Sequence, residues 1–163
     1  MSEKKIEDFI REALSGEAQD NALEFAAYLR ASDMLIEKFD FYGEDKLHWE
    51  VKYRDKIVCY ILIEDSEETV SWMIMPDNSS TKRFADFQAD EHIKEIAWNN
   101  LNICHSGNCG GCKQGTGSRR RILGKEIDNV CGMAFNFTNP DSAALEWVKK
   151  MMDIRKNDIK GND

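Results

Sequence analysis

Four cysteines stand at a spacing that suits a metal ion: Cys104, Cys109, Cys112 and Cys131, in the pattern C-x4-C-x2-C-x18-C. Cys109-Gly-Gly-Cys112 is a tight knuckle, in which the two glycines let the backbone turn so that two thiolates converge. His105 and further glycines at 107, 115 and 117 fit a loop wrapped around an ion. In a reducing compartment such a cluster is more often a metal or redox site than a disulfide framework. Four thiolates in tetrahedral array suit Zn²⁺, with Zn–S bonds of about 2.3 Å. The fifth cysteine, Cys59, lies within an apolar run and reads as a core residue.

The same sulfur atoms admit other chemistries. C-x4-C-x2-C followed by a distant cysteine is also the spacing of plant-type [2Fe–2S] proteins. Against that reading, a long helix-and-strand region precedes Cys104, and the last cysteine sits closer than that fold expects. Cys109 and Cys112 could form a redox dithiol, although the thioredoxin-like version places its pair between a strand and a helix start. The cysteines could also carry no ligand. A catalytic zinc would keep three protein ligands and one open position. Cys109, Cys112 and Cys131 with Glu126 or His105 could be drawn that way, but the H-x-E and P-C-x-x-C motifs of zinc deaminases are absent.

A second chemical feature adjoins the first. Residues 104–125 hold five bases (Lys113, Arg119, Arg120, Arg121 and Lys125) and no acid, whereas the whole chain carries 22 bases against 30 acids, net -8. Arg119, Arg120 and Arg121 are therefore a possible anion patch, the plainer reading being a solvated strand end paired with acidic neighbours. The acidic balance repels a phosphate backbone at long range and disfavours nucleic acid as a partner. No G-x-S-x-G, Walker loop or dinucleotide fingerprint is present. His48 and His92 have no motif partners, and alternation puts His48 on the polar, exposed side of its strand.

The elements that must hold these residues follow from periodicity. Ile6, Phe9, Ile10, Ala13 and Leu14 predict an amphipathic helix over 3–14, and Ala22, Leu23, Phe25, Ala26 and Leu29 a second over 17–30. The second helix is acidic and a poor groove reader, so the pair is expected to cover a sheet. Residues 34–42 are ambiguous between strand and helix end. Residues 47–53 alternate, 57–63 are continuously apolar and 70–75 end at Pro76, which predicts a three-stranded antiparallel meander. Its inner strands are apolar on both faces, so both faces need cover. A helix is expected over 86–101 with Asp90 or Asp86 as N-cap, and one or two strands within 121–137. A last helix is expected to open on Asn139-Pro140-Asp141 and to fray beyond Lys156. Trp49, Tyr53, Tyr60, Trp72, Trp98, Phe135 and Phe137 are core candidates, or alternatively the lining of a pocket for a flat ligand.

Several stretches carry a resemblance. Glu95-Ile-Ala-Trp98-Asn, the Cys-x4-Cys-Gly-Gly-Cys knuckle, Leu123-Gly-Lys-Glu-Ile-Asp-Asn-Val-Cys131 and Asn139-Pro-Asp with Leu145-Glu and Lys149-Lys resemble a group of small uncharacterised bacterial proteins. The strands Val51-Lys-Tyr and Val58-Cys-Tyr are similar to that group too. The resemblance implies one intact domain and carries no activity, ligand or metal with it.

Together these features predict one α+β domain over 1–163, with an antiparallel sheet of about four to six strands, an N-terminal helical hairpin and a C-terminal helix. The Cys-rich segment 104–131 lies within it. No apolar run approaches the ~20 residues that span a bilayer. The charged stretch Met1 to Asp8 lacks a secretory h-region, so a cytoplasmic protein is expected. The expected function is a non-enzymatic module with a structural zinc site that binds a small molecule or a protein. The alternative is a thiol-redox or [2Fe–2S] protein using the same cysteines.

Overall fold

The computed structural model describes residues 3–40, 46–104 and 117–162. Helix α1 (Ile6–Ala13) buries Ile6 and Ile10, one turn apart, and the Asp8 carboxylate accepts the Lys5 N–H at its start. Gly16 opens α2 (Gly16–Ala31) at φ 59°, a left-handed backbone that lets the two helices turn tightly. Arg30 of α2 grips Glu7 of α1 at 2.6 Å, and this guanidinium holds the Glu7 carboxyl below its ordinary range despite partial burial. The helical hairpin is as expected.

The ambiguous segment after α2 is a strand, β1 (Leu35–Phe39). It is followed by β2 (Lys46–Tyr53), β3 (Lys56–Asp65) and β4 (Val70–Pro76). Arg54 and Asp55 join β2 to β3 with φ of 49° and 63°; positive φ at both loop residues is what a type I′ hairpin turn requires. A 3-10 helix (Asn78–Phe84), which the sequence did not announce, leads to α3 (Glu91–Asn99). Asp90 caps α3 by accepting the Ile93 N–H at 2.8 Å. Residues 85–90 are not helical and Leu101 already belongs to a strand, so α3 is shorter than its apolar pattern suggested.

Three strands come next: β5 (Leu101–Ile103), β6 (Ser118–Ile122) and β7 (Lys125–Phe135). Then come β8 (Phe137–Thr138) and helix α4 (Ser142–Gly161). The N-cap of α4 is Asp141, which accepts the Ala144 N–H at 2.8 Å. Asn139, the expected cap, is engaged elsewhere: its side-chain oxygen accepts the Trp72 N–H and its N–H donates to the Trp72 carbonyl. Nor does the end of α4 fray at Lys156. Ile159 is 1% exposed, and Lys156 Nζ donates to the Ser32 carbonyl at 2.7 Å.

The strands make two antiparallel sheets, one ordered β1-β2-β3-β4-β8 and one ordered β5-β7-β6. Only Asn136 separates β7 from β8, so a single extended stretch passes from the small sheet to the edge of the large one. On the inner face of the large sheet, Trp49, Val51, Cys59, Ile61, Ile63, Trp72 and Ile74 join the buried side chains of α1, α2 and α4 in one core. Phe84, Phe135, Phe137 and Trp147 extend that core to the small sheet, Phe84 meeting Trp147 edge-on at 5.8 Å.

The opposite face carries a cross-strand row, Phe39, His48, Leu62 and Met73, set by the pairing register. Here His48 departs from expectation. It is only 5% exposed, with the Phe39 ring 5.6 Å away and the Tyr60 ring 5.4 Å away. Burial lowers its pKa, partly offset by Glu50. Among the described residues, no helix is long and apolar enough to cross a membrane.

Candidate functional site

Cys104 directly follows β5, and Cys131 and the three arginines lie on the small sheet. Its central strand is β7, where Val130 pairs with Ile103 of β5 on one side and with Ser118 of β6 on the other. Asn129 sits at φ 57°, and the β6 register shifts beside it. Such a bulge bends the strand locally. The Asn129 carbonyl accepts the Cys104 N–H at 2.7 Å. Gly117 arrives at the same place from β6. A Cβ there would lie 2.7 Å from the Cys104 Cβ and 3.3 Å from the Asn129 Cα and carbonyl oxygen, so only glycine fits this approach.

Cys104 and Gly117 thus abut beside Asn129, two residues before Cys131. Cys104 and Cys131 are both half-buried and neither is in a disulfide. Cys109 and Cys112 lie outside the described residues, as does His105. Among the described residues, no group of three or more His, Cys, Asp or Glu side chains is placed to hold a metal ion. Cys59 is fully buried in β3, and burial pushes its thiol pKa up, which makes it inert. His92 is exposed in the first turn of α3.

The three arginines occupy β6 and part company there. Arg119 reaches Glu126 at 3.4 Å and Asp128 at 3.5 Å, while Arg121 reaches Asp86 at 2.8 Å and Glu126 at 3.6 Å. These two are therefore balanced by carboxylates, and Glu126 is spent on them. Arg120, of opposite parity along the strand, is half-buried and donates to Ser118 Oγ at 3.2 Å. Among the described residues no carboxylate lies within ion-pair distance of it.

Arg120 borders a groove of about 610 Å³ between β6 and the 3-10 helix, with Asn78, Ser79, Thr81, Lys82 and Ser118 among its lining residues and no acid. The walls are fixed at both ends. At the β6–β7 turn, the Leu123 and Gly124 N–H groups donate to the carbonyls of Phe84 and Ala85, each at 2.8 Å. At the other end, the Asn78 side chain accepts the Ala134 N–H at 2.8 Å and donates to the Met133 sulfur at 3.2 Å. Sequence reasoning found the arginines and missed Lys82. The usable signal was Asp77-Asn78-Ser79, a capping run in which Asp77 accepts the Ser79 N–H.

Of the aromatic residues singled out from the sequence, six belong to the core or pack against it, whereas Tyr60 lies beside His48 on the outer face of the large sheet. Trp49, Tyr53, Trp72, Phe135 and Phe137 are buried, and the Trp98 indole N–H donates to the Ile122 carbonyl at 2.9 Å. No protein-family model, no curated protein and no solved structure matches the chain.

Proposed function

We propose that the chain is a non-enzymatic binding module whose small sheet is clipped by one structural Zn²⁺ held by Cys104, Cys109, Cys112 and Cys131. The observation that supports this is the meeting of Cys104 and Gly117 beside Asn129. The connection carrying Cys109 and Cys112 leaves and returns within two residues of Cys131. Four thiolates would complete a closed tetrahedral shell and leave no open position for a substrate, which is the structural rather than the catalytic pattern.

The ion would supply what the small sheet lacks in apolar burial. Its thiolate ligands must lose their protons on binding, so affinity should fall as pH falls. Apparent binding free energies of roughly 10 kcal/mol or more for structural zinc in small peptides are large against the stability of a whole domain.

Elemental analysis of protein purified without chelator tests the reading. One equivalent of zinc, a colourless solution, and loss of the metal in both Cys131→Ser and Cys109→Ser are expected. A brown protein with visible absorbance would replace zinc by an iron–sulfur cluster. A metal-free protein whose free-thiol count changes under mild oxidant would replace it by a dithiol.

A further inference from the structure

We infer that the groove between β6 and the 3-10 helix is a binding site for a small organic phosphate monoester, with Lys82 and Arg120 as its anion-binding residues. The inference deepens the binding-module half of the proposed function and rests on it, but it uses none of the cysteines. Four cations line the groove, and Arg119 and Arg121 are already balanced by Glu126, Asp128 and Asp86. That leaves Lys82 and Arg120, for which no carboxylate stands at ion-pair distance among the described residues. Two uncompensated cations match a dianion, and a phosphate monoester carries about two negative charges near neutral pH.

The donor set points the same way. A guanidinium offers a planar fork to two oxygens, and an ammonium adds a point charge to a third. Ser79 and Ser118 place hydroxyls on the same walls. A carboxylate presents only two oxygens and one charge to this arrangement. The volume of about 610 Å³ falls within the range of small-molecule pockets. A chain of net charge -8 repels an extended polyanion, so the ligand is a compact phosphate and not a nucleic acid. The walls are held at both ends by the backbone bonds of Leu123 and Gly124 and by Asn78. Little ordering is therefore left for the ligand to bring about.

Phenyl phosphate, inorganic phosphate, benzoate and a single-stranded oligonucleotide, titrated calorimetrically into the full chain at fixed ionic strength, test the inference. Phenyl phosphate and inorganic phosphate should both bind saturably, and phenyl phosphate more tightly than benzoate, which has the same ring but only one charge. Lys82→Gln and Arg120→Gln should each weaken it about tenfold or more, while Lys160→Gln, on the exposed end of α4, should not change it. Metal content is read on the same samples. Loss of phosphate binding with metal unchanged locates the effect in the groove, whereas loss of metal alone bears only on the cysteine clip. The inference is overturned by the absence of saturable binding, by wild-type affinity in either groove variant, or by tighter binding of benzoate or of the oligonucleotide.

Discussion

The two sheets share one chain and one core, yet they are held together by different means. The large sheet and its helices bury Trp49, Trp72, Ile61, Ile63, Ile74, Phe25 and Leu29 almost completely. The small sheet buries Val130 and Ile122 but leaves most of the first half of β7 exposed. Polar ties take the place of apolar area there. Asn78 ties β7 to the start of the 3-10 helix, Asn102 donates to the Met133 carbonyl at 2.7 Å, and the Asn136 N–H donates to the Asn100 carbonyl at 3.0 Å. Cys131 and the three arginines sit on this second kind of scaffold, Cys104 directly follows it, and Lys82 faces it from the 3-10 helix. Regions with little apolar burial open first, so the small sheet, whose order rests on these polar ties, should open before the large one.

The largest expected effect comes from the place where the two regions join. Trp147 of α4 is fully buried and meets Phe84 at 5.8 Å and Phe87 at 5.6 Å. Trp147→Ala should cost about 3–5 kcal/mol, the range for removing a large buried aromatic, seen as a shifted midpoint in urea unfolding. Both sheets should lose stability in one transition. Selective release of the small sheet would show that the shared core is less continuous than its contacts imply.

Asn78→Ala should sharpen the difference between the regions. It removes the acceptor for the Ala134 N–H and the donor to Met133, leaving a part-buried N–H without its partner. A cost of about 1–3 kcal/mol is expected. In hydrogen exchange, the amides of β6 and β7 should lose protection while those of β2 and β3 keep theirs. A uniform loss across both sheets would remove the distinction drawn between them.

How much of this was legible in the sequence depended on the kind of order involved. The helices α1 and α2 and the strands β2 and β4 bury one side at a fixed period, β3 is a continuous apolar run buried on both faces, and both patterns are written in the chain. The α+β class followed from them. The short strands β5 and β8 were not legible, because each exists only through a distant partner, Phe135 for Leu101 and Ile74 for Phe137. Asn139 resembled a helix cap because asparagine before proline commonly is one. Its side-chain oxygen instead serves the backbone of Trp72, a contact across 67 positions. At the site, the triple arginine was visible but its division was not. Strand parity separates Arg120 from its neighbours only once the carboxylates of Asp86, Glu126 and Asp128 are placed. Lys82 left no apolar period to read, since its 3-10 helix is polar, and only the capping run Asp77-Asn78-Ser79 marked the start of that turn.

The smallest expected effect concerns His48, where alternation named the face correctly but not its cover. The rings of Phe39 and Tyr60 shield the imidazole on the outer side of the large sheet, and burial lowers its pKa in the folded state. Unfolded chains take up that proton below about pH 6.5, while the folded protein resists it. Stability should therefore be complete above that pH and fall as pH drops toward the lower folded value, with a slope of at most about 1.4 kcal/mol per pH unit. His48→Phe keeps an aromatic ring in the row and removes the proton site. Urea unfolding between about pH 8 and pH 5.5 should show a shallower loss in the variant than in the wild type. Identical slopes would mean that water reaches the imidazole, and that the row on the outer face hides its ring carbons without removing its nitrogens from solvent.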